Sequence, residues 1–178
     1  RQLKVLITII SNRIQKYCLM ERQELIKWII SSHDNAELMQ RYDQWAADYD
    51  GDLDEVFGWI ALEMAAEVLS QIVPMDARVL DAGAGTGLVG QALASRGYAN
   101  LVAADISAGM LQEARKKNIY AEFHRVTLGE DLAFAANSFD AVISVGVLTP
   151  GHAPASSLDE LVRITKPDGH IVYTLRAD

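Results

Sequence analysis

Asp81, Gly83, Gly85, Gly87 and Gly90, followed further on by Asp105, are the residues whose types and spacing could do chemistry in this chain. That chemistry is the holding of a ligand against backbone. Glycine is needed where a chain reverses at positive φ, and where a ligand must approach the main chain without meeting a Cβ. A helix N-terminus placed directly after such a turn presents unpaired N–H groups and the positive end of its dipole. The two aspartates add negative charge on either side of the turn.

The elements that must position these residues are legible around them. Val79, Leu80 and Ala82 form a short apolar run after Pro74, with Asp81 inside it. From Leu88 the pattern turns helical, with Leu88, Ala92 and Leu93 on one face and Gly97 at the expected C-terminal position. The stretch therefore reads as strand, glycine turn and helix start. Leu101 to Ala104 is a second short buried strand, which ends at Asp105. In a doubly wound sheet the end of that strand lies beside the first, so Asp105 is placed to accept from both hydroxyls of a ribose. Asp105 and Ser107 are also both candidates to cap the following helix.

Two ligand classes use such a turn. Gly85, Gly87 and Gly90 satisfy G-x-G-x-x-G, the dinucleotide fingerprint, with Asp105 at the distance of a ribose contact. Read from Asp81, the same stretch is D-x-G-x-G-x-G, which resembles the first motif of class I S-adenosylmethionine (SAM) methyltransferases. Placement separates the two. The dinucleotide reading leaves Asp81 and Gly83 unexplained and sets a carboxylate where a pyrophosphate would be repelled. SAM is a sulfonium with an ammonium group and no phosphate. The resemblance implies that Asp81, Gly83, Ala84, Gly85, Thr86 and Gly87 form the cofactor loop, with S-adenosylhomocysteine (SAH) as product.

Other strings carry the same resemblance. Tyr42, Trp45 and Tyr49 share one helix face, and core packing is the plainer reading of such a face. The string Tyr-Asp-x-Trp-Ala-x-x-Tyr-Asp, however, is similar to the segment before the core of many small-molecule methyltransferases. There it folds over the cofactor, and aromatic faces suit a sulfonium. The string from Asp105 to Leu111 resembles the family's D-x-S-x-x-M-L, which implies Ile106 and Met110 against the adenine. Thr127 and Leu128 stand where many relatives place an aspartate for the adenine amino group, and Leu128 departs from that pattern. Ser144, Val145 and Gly146 end a strand opened by an S-F-D-x-V-like string. Phe139 is expected in the core and Asp140 in a structural turn. The loop from Thr149 to Pro154 follows, where the class places substrate-facing residues. His152 is a weak candidate for a general base, and no catalytic residue is assigned.

Bulk properties bound the rest. The chain has 178 residues, a net charge of −8 and one cysteine, Cys18. One domain is expected, nucleic acid is disfavoured as substrate, and an intracellular, cytoplasmic setting is expected without an intrachain disulfide. No metal site is expected, and no apolar run is long enough to span a membrane. Residues 1–34 read as an N-terminal extension, helical by the spacing of Leu3, Leu6, Ile7, Ile10 and Ile14, although Val5 to Ile10 also suits a strand. Residues 52–72 read as an amphipathic helix bearing Leu53, Val56, Phe57, Ile60, Leu62, Met64, Val68 and Leu69.

Strands are expected at 78–82, 101–105, 119–126, 139–145 and 170–175, alternating with helices. The fold class is α/β, a doubly wound parallel sheet (Rossmann-like, as in class I methyltransferases). The usual sixth and seventh strands have no sequence left for them after Asp178. From residue 35 onward, with the T-L-G, V-G-V-L and T-K-P strings, the chain resembles the Williams–Beuren-syndrome-region methyltransferase-like proteins. This implies a SAM methyltransferase domain over 35–178 acting on a small-molecule acceptor. A SAM-binding module without turnover, and more distantly an NAD-dependent oxidoreductase, are the alternatives.

Overall fold

The computed structural model describes residues 24, 27–29, 31–52, 60–148 and 152–175. The expectations for Val5 to Ile10 and the rest of the first helix, for Leu53, Val56 and Phe57, and for the loop Thr149 to Gly151 lie outside the described residues.

The elements are α1 (Asn35–Trp45), α2 (Ile60–Ile72), β1 (Val79–Ala82), α3 (Leu88–Ser95), β2 (Leu101–Asp105), α4 (Ala108–Lys116), β3 (Glu122–Arg125), β4 (Phe139–Ser144), α5 (Ser157–Ile164) and β5 (Thr165–Tyr173). Five parallel strands run in the order β3-β2-β1-β4-β5. The chain thus winds outward from β1 to β3, then returns to lay β4 beside β1. The crevice at the carboxyl ends of β1 and β4 is the switch point, where open α/β sheets hold ligands.

Period-2 alternation along the strands builds two cores. Val79, Leu101, Ala103, Ala141 and Ile143 pack with Leu69 of α2, Leu93 of α3 and Ala114 of α4 on one face. Leu80, Ala82, Val102, Ala104 and Val142 pack with Leu161 and Ile164 of α5 on the other. Covered on both faces, the central strands are continuously apolar, as parallel strands are. Asp81 is the one fully buried charged side chain in them.

Some boundaries differ from those the sequence suggests. The third strand shortens from 119–126 to Glu122–Arg125, because Tyr120 leaves the ladder and turns its ring toward β1. The inward face of α2 is Leu62, Ala65, Ala66 and Leu69, whereas Ile60, Met64 and Val68 are exposed. The fifth strand begins earlier than the expected residue 170, and Lys166 to Gly169 form a bulge inside it. Phe139 pairs with Thr165 and Ala141 with His170, so four residues oppose Asp140 alone. Asp140 anchors that bulge as the structural turn residue expected: its Oδ2 accepts from Arg78 N at 2.8 Å and its Oδ1 from Lys166 Nζ at 2.6 Å.

Candidate active site

The loop after β1 is built by three main-chain bonds. Gly83 N and Ala84 N both donate to Ala104 O, at 2.8 and 3.0 Å, and Gly87 N donates to Ala84 O at 2.8 Å. Gly83, Gly85 and Gly87 have φ of 83°, 53° and 89°, a region that costs other residues strain. What surrounds each glycine differs. A Cβ on Gly83 would lie 2.2 Å from Val147 Cγ2, so this glycine lets the loops after β1 and β4 meet. A Cβ on Gly87 would lie 2.9 Å from Tyr120 Cε2, and one on Gly90 only 2.1 Å from Tyr120 Oη. Gly85 has nothing within 4 Å and lines a cavity. Only this loop glycine leaves its backbone open to a ligand.

Asp105 closes the far side of the loop. Its Oδ2 accepts from Gly85 N at 2.8 Å and its Oδ1 from Ser107 N at 2.9 Å. Burial pushes its carboxyl up from the usual carboxylate range, and these N–H groups oppose that shift. Each oxygen keeps lone pairs for hydroxyl donors in the cavity that Asp105 lines. Ser107, not Asp105, caps α4, its Oγ accepting from Met110 N at 3.0 Å.

Helix α1 roofs the cavity. Asp34 caps it, accepting from Glu37 N at 2.8 Å. The Tyr-Asp pair occurs twice along this segment, and the two residues of each pair divide the work. Tyr42 and Tyr49 line the cavity. Asp43 accepts from Ser107 Oγ at 2.5 Å and from Gly109 N at 2.8 Å. Asp50 accepts from Thr86 Oγ1 at 2.5 Å and from Lys117 Nζ at 2.6 Å, and Lys117 also donates to Thr86 O at 2.8 Å. The aspartates therefore pin the roof to the start of α4 and to the glycine loop. Burial raises both tyrosine hydroxyls well above the usual phenol range, with Asp105 adding to the effect, so both stay protonated.

The cavity is lined by Leu38, Tyr42, Tyr49, Gly83, Gly85, Asp105, Ile106, Met110, Thr127, Leu128, Val145, Gly146 and His152, among others. Eleven of the seventeen lining residues are sequence candidates for the cofactor site. Of the others, Leu38 lies one helical turn before Tyr42 and joins the small core of Ile29 and Trp45. His152 was only a weak general-base candidate, and it places Nε2 at 2.7 Å from Tyr42 Oη.

The remaining sequence candidates stand behind the cavity wall. Trp45 is buried and donates from Nε1 to Asp52 Oδ2 at 2.8 Å. Ser144 Oγ donates to Ala82 O at 2.8 Å, tying the ends of β4 and β1 together. Ala84, Thr86 and Gly87 shape the loop without lining the cavity. Asp81 is 1% exposed, and Tyr120 Oη donates to its Oδ2 at 2.5 Å. Burial pushes the Asp81 carboxyl up to about 7, against the favourable Tyr120 bond. Tyr120 escaped sequence reasoning because its role depends on Gly87, Gly90 and Asp81, all distant along the chain. A second depression, at the amino ends of the strands, contains the Lys166–Asp140 ion pair.

Residues 80–173 match the family described as Methyltransferase domain. The chain belongs to that family. It is 36% identical over 149 residues to human methyltransferase-like protein 27, covering 82% of this chain and 60% of that one. This relative belongs to the Williams–Beuren-region group that the sequence resembles. Identity to the demethylmenaquinone methyltransferase of Clavibacter sepedonicus is 46% over 99 residues, which is 53% of this chain and 39% of that protein. The chain thus spans 60% or less of the length of these relatives.

Among solved structures, a chain of the complex between the Haloferax volcanii Trm112 methyltransferase activator and a methyltransferase superposes with a TM-score of 0.59 at 28% identity, covering 72% of this chain and 57% of that one. A TehB-like SAM-dependent methyltransferase of Corynebacterium glutamicum shares the fold, with a TM-score of 0.57, 20% identity, and coverage of 74% and 71%. The Rossmann-like class I fold expected from the sequence is the fold of this methyltransferase domain.

Proposed function

We propose that this methyltransferase domain binds SAM and transfers its methyl group to a small-molecule acceptor. The observation that carries the reading is the Asp105–Gly85 pair. A carboxylate held by a loop N–H faces the same cavity as Gly85, the one glycine of the loop after β1 whose Cβ position is empty. Such a cradle suits a ribose edge laid against bare backbone. Asp105 accepts from the ribose hydroxyls, while Ile106 and Met110 flank the adenine and Thr127 and Leu128 border its edge. Tyr42 and Tyr49 cover the sulfonium, and Val145 and Gly146 face the transfer site. Asp81, Ala84, Thr86, Gly87, Trp45 and Ser144 support this arrangement from behind.

SAM supplies an activated methyl for in-line transfer. The chain's part is to align the acceptor opposite the leaving sulfur and to exclude water, and positioning of this kind accounts for much of the acceleration. Asp81 and Gly83 have no part in a dinucleotide loop, and this disfavours the nicotinamide reading.

The same proposal takes 35–178 as the SAM domain and 1–34 as an extension to it; Ile29 packing with Leu38 and Trp45 suggests close apposition of the two. A net charge of −8 favours a small acceptor over nucleic acid. A single cysteine fits a cytoplasmic setting. No described helix is long and apolar enough to cross a membrane.

Calorimetric titration with SAM, SAH and NAD in parallel tests the proposal. Binding of the first two without NAD is expected, and binding of NAD alone would overturn it. Binding of SAM without turnover of any acceptor would favour a binding module.

A further inference from the structure

Resting on the SAM reading, we propose that Tyr42 and His152 form a proton relay, and that the acceptor is therefore a neutral hydroxyl, a phenol above all. The two residues reach the cavity from opposite sides. Tyr42 comes from the roof helix α1 and His152 from the segment after β4, and Tyr42 Oη lies 2.7 Å from His152 Nε2. Their rings are 5.9 Å apart, so the contact is a hydrogen bond and not a stack. Both line the cavity with Leu38, Val145 and Val147. This wall is apolar and aromatic, suited to an uncharged aromatic acceptor.

The groups around the pair fit the role. Among the described residues, Tyr49 and Asp105 are the other titratable groups lining this cavity, and Asn35, which also lines it, is neutral. Burial keeps Tyr42 from ionising, so its hydroxyl passes protons on and does not store them. An acceptor oxygen approaching Tyr42 gives its proton to Oη as the tyrosine proton moves to Nε2. The O–CH3 bond forms as the S–CH3 bond breaks, the bonding pair stays on sulfur, and the products are the methyl ether, SAH and an imidazolium. A neutral hydroxyl needs such a base, whereas a phenolate does not.

That difference is the test. Phenol titrates near pH 10, like a tyrosine side chain, whereas 4-nitrophenol is largely ionised in neutral to mildly alkaline buffer. Wild type and His152→Asn are compared at saturating SAM for kcat/KM on both acceptors, with SAM affinity measured separately by calorimetry. The ratio of phenol to 4-nitrophenol kcat/KM is expected to fall about a hundredfold in the variant. An unchanged ratio, with both rates falling together, overturns the relay and leaves His152 a packing role. Methylation of neither phenol by a wild type that binds SAM overturns the acceptor class while leaving the SAM reading intact. Failure to bind SAM overturns both.

A readout free of turnover comes from nitrogen-detected spectra of the imidazoles, with the His152 signal identified by its loss in His152→Asn. Tyr42→Phe is expected to shift the His152 titration midpoint. An unmoved midpoint means that the bond does not form in solution, and the relay fails.

Discussion

The hydroxyl of Tyr120 donates to Asp81 Oδ2 at 2.5 Å beneath the glycine loop, and a Cβ on Gly90 would sit 2.1 Å from that same hydroxyl. The acid and a glycine of the sequence signature therefore share one partner, and that partner stands behind the ligand cavity. Oδ1 of Asp81, also buried, has no hydrogen-bond partner among the described residues, so the pair is sensitive to any change on either side.

Tyr120→Phe removes the side-chain hydrogen bond that Tyr120 gives this carboxylate. Leaving a buried acceptor unpaired costs about 1 to 3 kcal/mol. A lowered Tm with unchanged secondary structure by circular dichroism is expected.

The pH dependence of stability follows from Asp81. Its folded value of about 7 lies above its ordinary value of 3.8, so the native state binds the proton more tightly than the unfolded chain. The resulting stabilisation is full below about pH 4 and is lost as pH rises through about 7. Melting curves for Asp81→Asn should lack this component. Between those limits, wild type should lose stability relative to the variant as pH rises. The opposite trend would refute the raised value.

Gly85→Ala and Gly90→Ala should part company. At Gly85 there is room, and only the φ of 53° resists, a strain of about 1 kcal/mol. The new methyl enters the cavity, so SAM affinity should fall by more than stability does. At Gly90 the methyl strikes Tyr120, and overpacking of this kind costs about 1 to 3 kcal/mol. Tyr120→Ala in the same chain should recover part of that loss, a non-additivity that a double-mutant cycle would read directly.

Asp105→Asn should weaken SAM and SAH to a similar degree, because both carry the same ribose. A hydrogen bond to a charged group is worth about 1.5 to 3 kcal/mol, or about ten- to a hundredfold in affinity. Selective loss of one ligand in calorimetry would argue against a ribose contact.

Asp43→Ala frees Ser107 Oγ and Gly109 N from the roof helix. Faster amide exchange confined to α1, with SAM affinity reduced, is the expected result. Uniform exchange across the domain would mean that the roof is no separate unit.

The architecture was legible because local chemistry and spacing agreed. The apolar runs gave the strands, Gly97 ended α3, and the distance from Gly85 to Asp105 placed a carboxylate beside the loop, where Asp105 now bonds Gly85 N. Contacts made by chain reversal were not legible. Nothing local to Tyr120 says that it will reach Asp81 or occupy the space left by Gly90. The twofold Tyr-Asp string gave aromatics on one face, but the docking of Asp43 and Asp50 depends on partners that only the fold brings near. The bulge in β5 escaped for the same reason, since its anchor Asp140 lies on another strand.

The fit between Gly90 and Tyr120 also bears on how such a domain diverges. A lineage that exchanges Tyr120 for a small residue releases Gly90 from having to be glycine, whereas Gly85 stays under the demand of the ligand. Drift at the two glycines should then follow separate histories, one tracking a neighbouring ring and the other tracking cofactor use. A homologue that has lost the Gly90 equivalent but keeps that of Gly85 need not have lost its chemistry. Loss of the Gly85 equivalent is the more telling mark of a domain that has left catalysis behind.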